Sequence, residues 1–251
     1  MRGRFFITVL LVLTPLYLRA QGRGQAQGGT VATARSAAPY DITGYWVALI
    51  TDDWRYRMLT PPKGNVDYLP VNAEGRRVAE MWDPLKDEAN GEQCRAYGAA
   101  GVMRLPGRLH ITWANDNTLQ LETDAGTQTR RFLFGASAPP AGEPTWQGYS
   151  VARWEFPGGR GLAPANGRGQ LKVVTNHLRP GYLRKNGIPY SANTVLTEYF
   201  VRLVDRRGQE YLAVTIFVDD SQYLQQPYIK TYEFKKQPDA SGWAPTPCSA
   251  K

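Results

Sequence analysis

Apolar and polar positions alternate with a period of two over most of this chain. Met103–Trp113 and Thr118–Thr123 flank the turn Asn115-Asp116-Asn117, and Asp124-Ala125-Gly126 leads into Gln128–Phe134. Gly148–Phe156 sets Ser150, Ala152, Trp154 and Phe156 on one side against Val151, Arg153 and Glu155 on the other. Leu171–Thr175 follows the Gly-rich stretch Pro157–Gly169. Thr194–Val204 and Glu210–Val218 read as a hairpin about Asp205-Arg-Arg-Gly208, and Tyr228–Lys235 closes the series. Upstream, Ile42–Ile50 is an apolar strand entered through Gly44, and Trp54–Leu59 alternates Trp54, Tyr56 and Met58 against Arg55, Arg57 and Leu59. Short alternating runs bounded by turn residues predict strands. One stretch has helical spacing: Asn72–Trp82, with Asn72 as N-cap, Val78, Met81 and Trp82 on one face and Pro84 beyond its end. Gly75 inside it weakens the helix by about 1 kcal/mol relative to Ala.

Roughly ten strands and one short helix predict an all-β fold. Strands adjacent in sequence usually pair, so the expected topology is an antiparallel meander. A meander this long must curl to protect its edges. The expectation is a lipocalin/calycin-like barrel or a strongly curved half-barrel, with a two-sheet sandwich as the alternative. The longest interruption, 176–193 (NHLRPGYLRKNGIPYSAN), has no pattern of its own. Loops of that length in compact domains usually carry function or are disordered, and its aromatic and apolar content argues for function.

The N-terminus reads differently. Arg2 and Arg4 precede the apolar run Phe5–Leu18, and Arg19-Ala20 follows. This is the pattern of a secretory signal peptide, expected to span residues 1–20. The run is short for a membrane span, which needs about 20 apolar residues. Residues 21–39, rich in Gly, Ala, Gln and Ser, are expected to be a disordered leader. A single domain would then occupy 40–251. The formal charge of +8 falls to +5 once Arg2, Arg4 and Arg19 leave with the leader. Arg76-Arg77, Arg130-Arg131, Arg206-Arg207 and Lys235-Lys236 are assigned to turns or a solvent face, not to a basic stripe. A nucleic-acid partner is therefore not expected. Neither is a membrane span after processing, so the product is expected in the periplasm or outside the cell. There, the two cysteines, Cys94 and Cys248, are expected to form a disulfide.

Two resemblances add to this. Trp146-Gln-Gly-Tyr-Ser-Val-Ala-Arg-Trp-Glu155, Leu171-Lys-Val-Val-Thr175, Leu196-Thr-Glu-Tyr199, Val218-Asp-Asp-Ser-Gln-Tyr223, Gln226-Pro227, Trp243 and Cys248 resemble a family of uncharacterised exported bacterial β-rich proteins. That resemblance implies architecture and export, with no assigned activity. Gly44-Tyr45-Trp46 is similar to the G-x-W opening of lipocalins, which set an Arg from the last strand against that Trp; Tyr228–Lys235 offers Lys230 and Lys235 instead.

The chemistry-bearing residues are few. With only His110 and His177, a three-His metal site is excluded, and no H-x-H or H-E-x-x-H spacing occurs. No cofactor motif is present. Gly148-Tyr149-Ser150-Val151-Ala152 approaches a nucleophile elbow but continues as strand, where the elbow needs a sharp strand-to-helix turn. A metal-independent hydrolase, isomerase or lyase would rest on His177 with Tyr190 or Glu198 as partner. Glu198 also reads as half of an internal ion pair. The first expectation is a small-molecule-binding protein with an apolar barrel cavity. Arg179, Tyr182, Arg184, Lys185 and Asn186 would form a cationic, aromatic mouth for an amphipathic or anionic ligand, with Trp146, Arg153 and Trp154 on the wall. An envelope scaffold without a ligand is the third reading.

Overall fold

The computed structural model describes residues 32–251 apart from 52, 137, 138, 140 and 158–167. The expected signal peptide and most of the Gly-rich stretch 157–169 lie outside the described residues.

Nine strands close into a barrel: β1 (Gly44–Leu49), β2 (Arg108–Asn115), β3 (Thr118–Thr123), β4 (Gln128–Phe134), β5 (Tyr149–Glu155), β6 (Gln170–Asn176), β9 (Val195–Val204), β10 (Glu210–Asp219) and β11 (Tyr228–Lys236). Two short strands, β7 (Gly181–Arg184) and β8 (Ile188–Tyr190), form a separate hairpin between β6 and β9. All neighbouring pairs in the ring are antiparallel except β4–β5, which are parallel. A parallel pair needs a connection that crosses back along the barrel, and 135–148 makes it. The first and last strands complete the ring, with Trp46 opposite Lys236. The all-β barrel is therefore closed, and the period-two positions supply its interior.

That interior is filled. Trp46, Ile111, Leu121, Phe132, Val173, Phe200 and Val214 all have no accessible surface. The apolar hollow expected inside the barrel is absent at these positions because bulky side chains from facing strands meet there, as they do in small barrels. Arg130 was expected at a turn or facing solvent, but it is in the same interior, 1% exposed. Its Nη1 and Nη2 donate to Glu198 Oε1 and Oε2 at 2.8 and 2.5 Å, and Nη2 also reaches Thr175 Oγ1 at 3.3 Å. Thr175 Oγ1 lies 2.8 Å from Ser150 Oγ. Four strands thus meet through one buried polar chain.

The remaining elements gather at one end of the ring, where β1 ends and β2 begins. The segment 50–107 holds α1 (Trp54–Arg57), α2 (Ala73–Glu80), α3 (Pro84–Ala89) and α4 (Ala99–Val102). The expected strand at Trp54–Leu59 is instead the single turn α1. The helix expected at Asn72–Trp82 is α2, where the Asn72 side chain accepts from Gly75 N at 2.9 Å. In α3, Asp83 accepts from Leu85 N and Lys86 N, and Pro84 occupies the first turn, a combination that favours helix initiation. The hairpin β7–β8 packs on α2, and the C-terminal tail is bound there by the Cys94–Cys248 disulfide.

Part of the leader expected to be disordered is structured. The leader assigned to 21–39 includes a turn at Ala34–Ala37, and Trp154 Nε1 donates to Ala34 O at 2.8 Å while Arg35 N donates to Asp116 O at 3.0 Å. Trp154 holds down the start of the described chain.

Candidate functional site

At the capped end a groove of about 220 Å³ lies between α2, α3 and the β7–β8 hairpin. Trp82, Tyr182, Tyr190 and Tyr223 give it aromatic walls, Pro180 and Pro189 edge it, and Lys86, Asp87 and Arg95 supply charge. Each wall has a local cause. Trp82 follows α2 and lies against Gly187, where an added Cβ would come 2.3 Å from the Trp82 Cβ. Gly187 also has φ +83°, so only glycine fits both the turn and the ring. Tyr223 is fixed through its backbone, whose carbonyl accepts from Asn72 N at 2.9 Å.

A three-residue network lies in the groove wall. Asp87, 5% exposed, accepts from Arg95 Nη1 and from the Tyr182 hydroxyl, both at 2.9 Å. Arg95 Nη1 also donates to Tyr182 Oη at 3.0 Å and lies 4.8 Å from the centre of its ring. Burial pushes the Tyr182 phenol well above its usual range, against the pull of the Arg95 charge. Tyr190 is deeper. Burial raises its pKa too, and its hydroxyl has no partner among the described residues. Gly98 and Gly181 make room for it: a Cβ on either would stand 2.2 or 2.6 Å from Tyr190 Oη.

The residues expected to form the site are scattered among several structures. Tyr182 and Tyr190 share the groove. Arg184 and Asn186 face the other way. Arg184 Nη2 donates to Asn65 O at 2.8 Å, and Asn186 Nδ2 donates to Pro62 O and Asn65 O at 3.0 and 2.8 Å. They are buried because they satisfy the carbonyls of a loop with no ladder of its own. Lys185 donates to the backbone oxygen of Lys251 and lies 5.7 Å from the Tyr97 ring centre. Arg179 pairs with Glu92 and covers Trp146 at 4.5 Å. Arg153 is exposed and pairs with Glu155, while Trp154 packs between Tyr40 and Phe134.

The expected catalytic trio makes no mutual hydrogen bond among the described residues. His177 has φ +57° and its Nε2 lies 2.9 Å from Gly142 O. Both Glu198 oxygens are taken by Arg130. The long loop expected at 176–193 is in fact mostly the β7–β8 hairpin. Trp82, Asp87, Arg95 and Tyr223 were not among the expected site residues: Trp82 was read as part of a helix face, and Asp83-Pro84 is an N-cap signal that marks the helix carrying Asp87.

One further contact concerns the barrel. The Lys236 ammonium lies 4.4 Å from the Trp46 ring centre and donates to Thr43 O. The last strand thus sets a cation on the Trp of the G-x-W opening, one residue beyond the expected strand end.

No known protein family matches this chain, and neither a curated protein nor a solved structure does. Among the described residues no helix is long and apolar enough to cross a membrane.

Proposed function

We propose that this is an exported binding protein for a small amphipathic molecule, held in the groove between α2, α3 and the β7–β8 hairpin and not inside the barrel. The observation that carries this reading is the union of four aromatic walls with the Arg95–Asp87–Tyr182 network in one concavity. Ligand sites are typically apolar clefts with a few fixed polar groups. At about 220 Å³ the groove suits a ring-sized body or the end of a longer chain. Arg95 and Lys86 can meet a carboxylate or hydroxyl on that body, while Trp82 and Tyr223 cover its apolar faces. Export is supported by the disulfide, which persists in oxidising compartments. The Lys236–Trp46 contact supports the lipocalin resemblance of the barrel's opening strand. The parallel β4–β5 pair departs from an up-and-down barrel.

Native mass spectrometry of protein taken from the export compartment tests the reading. The expected spectrum carries a small-molecule adduct that Trp82→Ala loses while the far-UV circular dichroism is unchanged. A bare mass in the unaltered protein, together with no change in Trp fluorescence on titration with aromatic carboxylates, would sink it.

A further inference from the structure

The outer wall of the barrel has two unlike sides. On β2, β3 and β4 the outward positions are polar: His110, Glu122 and Thr129 stand in one row, and Thr112, Gln120 and Arg131 in the next. On β5, β6, β9, β10 and β11 the pairing sets Val151, Val174, Thr197, Phe217 and Ile229 side by side in one unbroken row. These positions alternate with the buried ones that fill the barrel, so they point out of it. Ile229 is 54% exposed, and Val195, two residues before Thr197, is 40% exposed. The neighbouring row holds Lys172, Tyr199 and Thr215. The Lys172 ammonium lies 5.1 Å from the centre of the Tyr199 ring and 3.9 Å from Glu155, so it lies along the wall. The core is already filled without these side chains, and extended apolar faces of this kind mark interaction sites.

The two halves of this wall complement one another across β9. The β5–β6 half carries the smaller Val151 and Val174, and its outward charges, Arg153, Lys172 and Glu155, sum to +1. The β10–β11 half carries the bulkier Phe217 and Ile229, and its outward charges, Asp219, Glu233 and Lys235, sum to −1. The outward residues of β9 between them are uncharged. A twofold axis along the outer face of β9 lays each half on the opposite half of a second copy. It sets Val174 on Phe217, brings the basic half onto the acidic one and places Thr197 on the axis against itself. Self-complementarity of this kind is what an isologous twofold interface requires.

The wall is convex, so β6, β9 and β10 make the contact. Three strands about 4.8 Å apart, with ten residues in β9 and β10 at about 3.3 Å each, give a patch of roughly 14 by 33 Å. Two copies would bury about 900 Å² in all, just under the roughly 1,000 Å² of a lasting interface. That area suits a weak, reversible pair.

We propose that this face joins two copies of the chain, with β6, β9 and β10 of each packed sheet on sheet about a twofold axis. The interface lies on the barrel and does not depend on the groove.

Sedimentation velocity of the full protein between about 1 and 500 µM reads the pairing. The expected result is a monomer–dimer equilibrium with a micromolar dissociation constant. Val174→Asp should raise that constant at least about tenfold with unchanged far-UV circular dichroism, because it puts a carboxylate into the apolar contact. Thr129→Asp, on the polar side, should leave it unchanged. A cysteine on the axis tests the geometry even if Val174→Asp fails to fold: Thr197→Cys should form an interchain disulfide under mild oxidation, and Thr112→Cys should not. A protein that stays monomeric throughout the range, an equal loss in Thr129→Asp, or cross-linking through Thr112→Cys but not Thr197→Cys would overturn the proposal. So would a monomer that floats with phosphatidylglycerol vesicles, which would assign the wall to a bilayer.

Discussion

Arg130 and Arg104 are both almost fully buried, one inside the barrel and one in the cap, and they are neutralised in opposite ways. Arg130 meets a carboxylate through two hydrogen bonds, with Thr175 and Ser150 completing the chain. Among the described residues, the Arg104 guanidinium donates to the Tyr56 carbonyl and has no carboxylate as hydrogen-bond partner. The strands of the ring spend their backbone groups on one another, so a charge inside it needs its own ionic partner. The cap is built from short helices and loops whose carbonyls lack ladder partners, and arginines serve them. The two regions thus bury arginine to different ends: in the barrel it ties strands together, and in the cap it satisfies loop carbonyls.

The strongest way to break this contrast is at Glu198. Glu198→Met leaves Arg130 buried and alone, and urea unfolding should show a loss of about 3–5 kcal/mol. Pairing it with Arg130→Met should restore most of that loss, since an apolar pair of similar volume replaces the ion pair. If the single variant were as stable as the parent, the scaffold role of the pair would be refuted. Next in size is the disulfide. Cys94→Ser with Cys248→Ser should cost about 2–5 kcal/mol. The loss should appear in the cap: amide exchange should quicken in α3 and the β7–β8 hairpin while β9 and β10 stay protected.

Alkaline titration sharpens the comparison further. Tyr232 in the barrel and Tyr182 and Tyr190 in the cap all have phenols raised by burial. Unfolded tyrosines ionise near pH 10. The unfolded chain therefore gives up protons first, and the contribution of these groups, complete below pH 10, declines above it. Phenolate absorbance should show a late class that ionises only on unfolding. If the cap opens before the barrel, Tyr182 and Tyr190 should titrate in a step ahead of Tyr232. The smallest effect belongs to an ion pair at one end of the β9–β10 ladder, Arg202–Glu210 at 2.8 Å. Its hydrogen bond to Arg202 lowers the Glu210 pKa. That stabilisation is present above the ordinary carboxylate range and fades as pH falls through the folded value. Arg202→Ala should cost only about 0.5–1 kcal/mol by urea unfolding at pH 7, because both partners keep contact with solvent.

The barrel strands were legible because one face of each is buried and the other wet, so Leu119 and Leu121 alternate with Gln120 and Glu122. The hairpin was not legible for the opposite reason. Gly181–Arg184 and Ile188–Tyr190 are buried at every position, which erases alternation and leaves Gly and Pro as the visible signal. Trp54–Arg57 misled because four residues are too few to separate a period of two from a helical turn. Glu198 was legible as half of an ion pair, but its partner Arg130 lies 68 residues away across the ring. The groove went unseen because Trp82, Arg95, Tyr182 and Tyr223 come from four separate stretches that only the closed ring brings together.

Pairing β1 with β11 also sets a timetable for assembly. A chain made from its N-terminus must hold Gly44–Leu49 with one flank unsatisfied until Tyr228–Lys236 arrives, and only later can Cys248 reach Cys94. Joining the ends so late is slow and leaves strand edges sticky in the meantime. A newly made molecule is therefore open to wrong strand pairing until its final segment is in place.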